Sequence, residues 1–168
     1  MVKQIRTKSI TAQSVVIPGS KSISHRIMIC AALCSGTSRI SNLLESEDIL
    51  LTIDCLRKMG ASIEKKQNDT YEVKGFSGNP TAHDNPIYLG NSGTSMRLLT
   101  GIAALGDSPY TLTGDERMCE RPMGELLEAL HMADVKADSQ NDTQAPPVII
   151  QGGKRQGGAV VVDCSKSG

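Results

Sequence analysis

The stretch VIPGSKSISHR (residues 16–26) sets a Pro-Gly turn and then Ser20, Lys21, Ser22, His25 and Arg26 in close succession, between an apolar strand and an apolar helix. Small residues where a helix begins leave its first backbone N–H groups unpaired at the positive end of the helix dipole, which suits an anion. Lys21 adds a mobile ammonium and Ser22 a hydroxyl, and Arg26 lies one turn after Ser22 on the same face. A junction of the same kind returns in LGNSGTSMR (residues 89–97), where Gly93 lets backbone approach a ligand closely and Asn91, Thr94 and Arg97 surround it. A third begins in DCSKSG (residues 163–168), which carries Ser167, and Arg121 stands just before Pro122 at the start of another helix. Three Gly/Ser-rich junctions, two of them armed with cations, point to one multiply anionic ligand. The spacing of a Walker phosphate loop is absent and no acidic pair or magnesium-binding cluster is evident, which disfavours nucleotide phosphoryl transfer.

Taken singly, each element has a plainer reading. A serine before a helix is usually a cap, Arg26 and Arg97 pass for solvated helix charges, and Arg121 for a surface ion pair with Glu116 or Glu120. His25 reads as an exposed helix residue, and His83 and His131 have no evident partner and are given no role. Gly101 is unfavourable inside a helix by roughly 1 kcal/mol relative to alanine, and close helix packing is the expected reason for it.

The elements that must position these residues follow from periodicity. SISHRIMICAALC (residues 22–34) predicts a helix with Ile23, Ile27, Cys30, Ala31 and Cys34 on its apolar face and Gly36 as its stop. TSRISNLL reads as a strand. SEDILLTIDCLRKMG is a second helix with Ser46 as N-cap, Ile49, Ile53 and Leu56 on one face, and Gly60 closing it. ASIEKK and TYEVKGF are strands. The order then recurs: PIYLG, the helix SGTSMRLLTGIAALG, SPYTLTG, the helix RPMGELLEALHMA with Pro122 in its first turn, and the closing strands VKAD and PPVIIQG. An offset of about 70 residues, seen from Ser22 to Ser92 and from Gly60 to Asp134, marks a duplicated βαβαββ unit, with a third copy beginning at GGAVVVDCSKSG and left unfinished.

With 168 residues the chain can bury a real core. Eighteen Lys and Arg balance eighteen Asp and Glu, so an anion site must come from local clustering, and one Phe, three Tyr and no Trp offer little for stacking nucleic-acid bases. No apolar run approaches the roughly 20 residues of a membrane span. Five cysteines, Cys30, Cys34, Cys55, Cys119 and Cys164, show no CxxC spacing and sit mostly in apolar stretches, which fits a reducing cytoplasm. Cys30 and Cys34 share a helix face and are expected in the core rather than on a metal.

PGSKSISHR, LLESEDILLTIDCLRKMGA, LGNSGTSMRLL and GDERMCERPM resemble, in this order and over essentially the whole chain, the signatures of the 5-enolpyruvylshikimate-3-phosphate synthase family. The resemblance implies an α/β (α+β) fold of repeated βαβαββ units, three in each of two barrel-like domains, with a cleft between the domains. Residues 1–17 would then be a strand segment pairing with the second domain, and residues 18–168 most of the first, as units 18–78 and 79–153 and a third begun at 154–168. The implied reaction moves the enolpyruvyl group of phosphoenolpyruvate to the 5-hydroxyl of shikimate 3-phosphate, without metal or organic cofactor. By position in the family motifs, Lys21 would reach both substrates, Ser22, Arg26 and Ser167 would hold shikimate 3-phosphate, and Gly93 and Arg121 phosphoenolpyruvate, where glyphosate competes. Asn91, Thr94 and Arg97 would shape the loop. The implied partners are these small molecules and an absent C-terminal half that carries the acid/base groups, with no nucleic acid or membrane. The alternatives are an enolpyruvyl transferase acting on UDP-N-acetylglucosamine and a non-catalytic anion-binding module.

Overall fold

A computed structural model describes residues 17–81, 83–152 and 158–162. The first unit comprises α1 (Lys21–Leu33), β1 (Thr37–Ile40), α2 (Glu47–Lys58), β2 (Ser62–Lys65) and β3 (Tyr71–Lys74). The second comprises β4 (Ile87–Tyr88), α3 (Gly93–Ala103), β5 (Tyr110–Thr113), a short 3-10 turn at Met118–Glu120, α4 (Gly124–Met132), β6 (Ala137–Ser139) and β7 (Val148–Ile150).

The duplication is visible in the pairing. One sheet runs β1-β3-β2, antiparallel throughout, and the other runs β4-β5-β7-β6, with β5-β7-β6 repeating that antiparallel order and β4 added parallel to β5. The second helix of each unit also ends the same way. At Gly60 (φ +104°) and at Asp134 (φ +62°) the chain turns left-handed, and the bonds Gly60 N–H to Arg57 O and Ala61 N–H to Leu56 O are repeated as Asp134 N–H to His131 O and Val135 N–H to Leu130 O. The offset inferred from Gly60 and Asp134 is therefore a structural equivalence, whereas the residue that matches the cap Ser92 is Ser20 and not Ser22.

Alternation along short strands and helical spacing along α2 and α3 deliver one core, in which Ile49, Ile53, Leu56, Val73, Ile87, Met96, Leu99 and Leu112 are fully or almost fully buried. α2 packs against both α1 and α3, so the two units share it. The expected α2 face of Ile49, Ile53 and Leu56 is buried, and Ser46 stands at the N-cap, although its side chain makes no capping bond.

Several expectations need correction, among them the exposure expected of His25, which is fully buried. The face of α1 is rotated: Ile23 and Ile27 are 66% and 44% exposed, Cys30 and Cys34 are exposed, and Ser24, His25, Met28, Ile29, Ala31 and Ala32 are buried. α1 carries apolar residues on more than one face, so periodicity identifies the helix without fixing its phase. The phase is set by the close approach of Gly75, where a Cβ would collide with the Cys34, Ala32 and Ala31 carbonyls, and by the hydrogen bonds of Ser24 and His25. Cys30 and Cys34 are consequently not core residues, whereas Cys55 is buried and its thiol is pushed up to about 12 by desolvation. α4 starts at Gly124 with Met123 as cap, so Pro122 precedes the helix, its carbonyl taken by Arg97 at 2.8 Å. Among the described residues a Cβ on Gly101 would meet nothing within 4 Å, so their packing does not require that glycine. His83 and His131 do have partners, the Asn85 carbonyl at 2.8 Å for the former and Ala137 N–H and Asp138 for the latter.

Candidate functional site

At the start of α1 the cap is Ser20 rather than Ser22, its hydroxyl accepting from Ile23 N–H at 3.5 Å. Only glycine fits at position 19, because a Cβ there would lie 2.4 Å from the Asn42 carbonyl; this close approach brings the chain before α2 against the helix start. Lys21, the first helical residue, is paired with Asp48 in the first turn of α2. Arg26 reaches back to the Ser22 carbonyl at 2.9 Å, and Ser22 itself is exposed.

At the start of α3, Ser92 is the cap and Gly93 the first helical residue. The Arg121 guanidinium lies over Gly93, 2.8 Å from where a Cβ would stand, and donates to the Asn91 backbone carbonyl at 3.3 Å and its side-chain oxygen at 3.5 Å. Arg121 thus uses Asn91, and not Glu116 or Glu120, among the described residues. Arg97 donates to Pro122, next to Arg121, and so ties α3 to the segment that carries that guanidinium. Thr94 is exposed beside them. Ser167 lies outside the described residues, as do Cys164, most of the third unit and residues 1–16.

A buried polar chain joins the two starts. His25, fully buried on α1, contacts the Thr52 hydroxyl of α2 at 2.9 Å through Nδ1. Thr52 donates to the Asp48 carbonyl at 3.0 Å and meets the Ser95 hydroxyl of α3 at 2.9 Å; Ser95 in turn meets Ser92 at 2.6 Å. Asp48 is the hub, since its carbonyl receives this chain and its carboxylate holds Lys21. Burial holds the His25 pKa below its ordinary value; nearby Asp48 opposes this, and Lys21 and Arg26 add to it. His25, Asp48, Thr52 and Ser95 escape a reading of sequence, where Asp48 is merely a favourable first-turn acid. Their one signal is the density of Ser, Thr and His at these helix starts.

The arrangement concentrates positive charge. Arg26, Arg97 and Arg121 are all oriented by uncharged oxygens, and among the described residues only Lys21 of the four cations faces a carboxylate. Two capped helix starts and four cations are the kind of groups that phosphate or carboxylate binding requires.

Residues 5–168 match the model of the family described as EPSP synthase (3-phosphoshikimate 1-carboxyvinyltransferase). The chain belongs to the EPSP synthase family. It is 41% identical over 155 residues to the 3-phosphoshikimate 1-carboxyvinyltransferase of Vibrio cholerae serotype O1, covering 91% of this chain and 36% of that protein. With the Acetivibrio thermocellus protein of the same name the identity is 40% over 163 residues, or 97% of this chain and 38% of that one. An EPSP synthase structure from Acinetobacter baumannii superposes with a TM-score of 0.83 at 34% identity, covering 92% of this chain and 35% of the other. The expected enolpyruvyl transferase fold is therefore established, and the chain spans about a third of the length of the relatives it matches.

Proposed function

We propose that this chain forms the anion-binding part of an enzyme that transfers the enolpyruvyl group of phosphoenolpyruvate to the 5-hydroxyl of shikimate 3-phosphate, releasing phosphate. The observation that carries this reading is the linkage, through Asp48, of two capped helix starts that bring Lys21, Arg121 and Gly93 into one polar system. Both substrates carry a phosphate and a carboxylate, so four anionic groups need cations and free N–H groups in one place.

In this reading Ser22 and Arg26 hold shikimate 3-phosphate, Gly93 and Arg121 hold phosphoenolpyruvate, and the Lys21 ammonium lies between them. Asn91 and Arg97 keep the Arg121 segment in place, and Thr94 completes the loop. The 5-hydroxyl oxygen, losing its proton, adds to the substituted enol carbon as the terminal carbon gains a proton, and the tetrahedral intermediate then expels phosphate as the new methyl gives up a proton. This chain's residues position and neutralise; proton transfer falls to groups in the remaining two-thirds of the longer relatives.

Calorimetric titration of the chain with shikimate 3-phosphate tests the reading. Heat of binding that is lost in Lys21→Met is expected, and a folded wild-type chain giving no heat at millimolar ligand refutes it. The chain alone is expected to release no phosphate from the substrate pair. Release would show that the acid and base lie within it.

A further inference from the structure

We infer that His25 is a positioning residue for the anion site, fixed as the neutral Nδ1–H tautomer and acting through Thr52 and Ser95. The inference rests on the functional reading above and on the hydrogen count of the buried chain. The Asp48 carbonyl can only accept, and Thr52 gives its single hydroxyl hydrogen to it at 3.0 Å. Ser95 Oγ, 2.9 Å from Thr52 and 3.3 Å from the Asp48 carbonyl, gives its single hydrogen to one of these two, and on either choice the Thr52 oxygen, its own hydrogen spent on Asp48, accepts from His25 Nδ1 at 2.9 Å. Ser92 supplies the last hydrogen, to Ser95 at 2.6 Å. His25 Nδ1 is therefore the donor.

The other ring nitrogen leads to the same tautomer independently. Among the described residues His25 Nε2 is buried without a hydrogen-bond partner, and a buried N–H with no acceptor is disfavoured more strongly than a bare ring nitrogen. The imidazole thus starts a run of hydrogen bonds that ends at two functional points. One is the first turn of α3, where Ser95 follows Gly93 by two residues, and the other is Asp48, which holds Lys21. His25 touches no expected ligand; it sets the spacing between the groups that do.

Nitrogen NMR on the labelled chain reads the tautomer directly, with Nδ1 expected as N–H and Nε2 as bare nitrogen. Titration with inorganic phosphate, followed at the Gly93 and Lys21 amides, reads the consequence. His25→Asn places an amide N–H where Nδ1 was and is expected to keep the affinity, whereas His25→Leu weakens it by about fivefold, in keeping with one lost hydrogen bond. Ser95→Ala breaks the same run at its far end and carries the same expectation, which keeps the test decisive should His25→Leu not fold. Absence of any phosphate response in the wild type overturns the functional reading and this one with it. An Nε2–H tautomer, or a wild-type response retained in Ser95→Ala and His25→Leu, overturns the positioning role alone.

Discussion

Thr52→Val probes the junction of the two units with almost no change of shape. Thr52 is fully buried, and its hydroxyl serves His25 at 2.9 Å, Ser95 at 2.9 Å and the Asp48 carbonyl at 3.0 Å. Valine fills the same space and has a similar helix propensity, so neither a cavity nor a backbone term enters. The substitution leaves the His25 Nδ1–H without an acceptor, which costs about 1–3 kcal/mol, and removes neutral hydrogen bonds contributing about 1 kcal/mol more. The added methyl returns about 0.8 kcal/mol of apolar burial. A net loss of about 1–3 kcal/mol is expected, a large share of the 5–15 kcal/mol typical of a domain. Urea unfolding should show a lower midpoint at unchanged slope, and thermal unfolding a fall of about 4–8 °C for a loss near 2 kcal/mol. Thr37→Val, at an exposed strand position, is the control and should stay within about 0.5 kcal/mol of wild type. The reasoning is refuted if Thr52→Val matches that control, because the hydroxyl then bridges nothing that matters. A double-mutant cycle with Ser95→Ala should give a coupling of at least about 0.5 kcal/mol.

Other outcomes follow from the same geometry. Gly101→Ala should raise stability by about 1 kcal/mol in urea unfolding, since the new methyl meets nothing within 4 Å among the described residues; a loss would mean that the glycine is needed by a partner. Gly93→Ala places its Cβ 2.8 Å from the Arg121 guanidinium and displaces it from Asn91, so calorimetry should show phosphoenolpyruvate bound about three- to tenfold more weakly. Unchanged affinity would remove Arg121 from the site. With the folded-state pKa of His25 held below 6.5, the unfolded chain takes up this proton first as pH falls, so the His25 contribution is complete above that value and is lost on descent through it. Urea midpoints should accordingly drop more steeply for wild type than for His25→Asn between about pH 7.5 and about pH 5.5, above most carboxylate titrations. Cys30 and Cys34 should react with a thiol reagent in the native chain, and Cys55 only on unfolding, a difference that mass spectrometry of the labelled peptides would show.

Much of the fold could be read in advance because its signals are local. Gly60 and Asp134 both close helices with left-handed turns, and strand alternation and the spacing of Ile49, Ile53 and Leu56 need only a few residues to register. What escaped is relative placement. Two apolar stripes on α1 compete, and contacts far along the chain choose between them: His25 with Thr52, and Gly75 against the Ala31 and Ala32 carbonyls. The candidate site divides in the same way. Glycine, serine and cations at helix starts announce an anion site, but the ion pair of Lys21 with Asp48 and the meeting of Arg121 with Gly93 each join different elements of the chain. A first-turn acid such as Asp48 is over-explained by the helix dipole, which hides its second use. Pro122 fits a first-turn role by composition, yet the bond from Arg97 to its carbonyl belongs to the path before α4.

The pattern of partners suits the proposed function, which requires cations that remain able to attract anions. A guanidinium paired with a carboxylate has spent much of its field, whereas one oriented by a backbone carbonyl retains its charge and most of its five donors. Arg26, Arg97 and Arg121 are of the second kind, bound to the Ser22, Pro122 and Asn91 carbonyls. Lys21 is of the first kind, and its position accounts for the difference: an ammonium on a flexible stem at the first residue of α1 has no rigid fork to orient it, and the unpaired N–H groups there repel it. Asp48 answers both problems at once. Its carboxylate anchors the ammonium, while its carbonyl, through Thr52 and Ser95, ties that anchor to the α3 start. In the proposed function, an arriving phosphate would meet three guanidinium groups held by carbonyls and an ammonium held by Asp48.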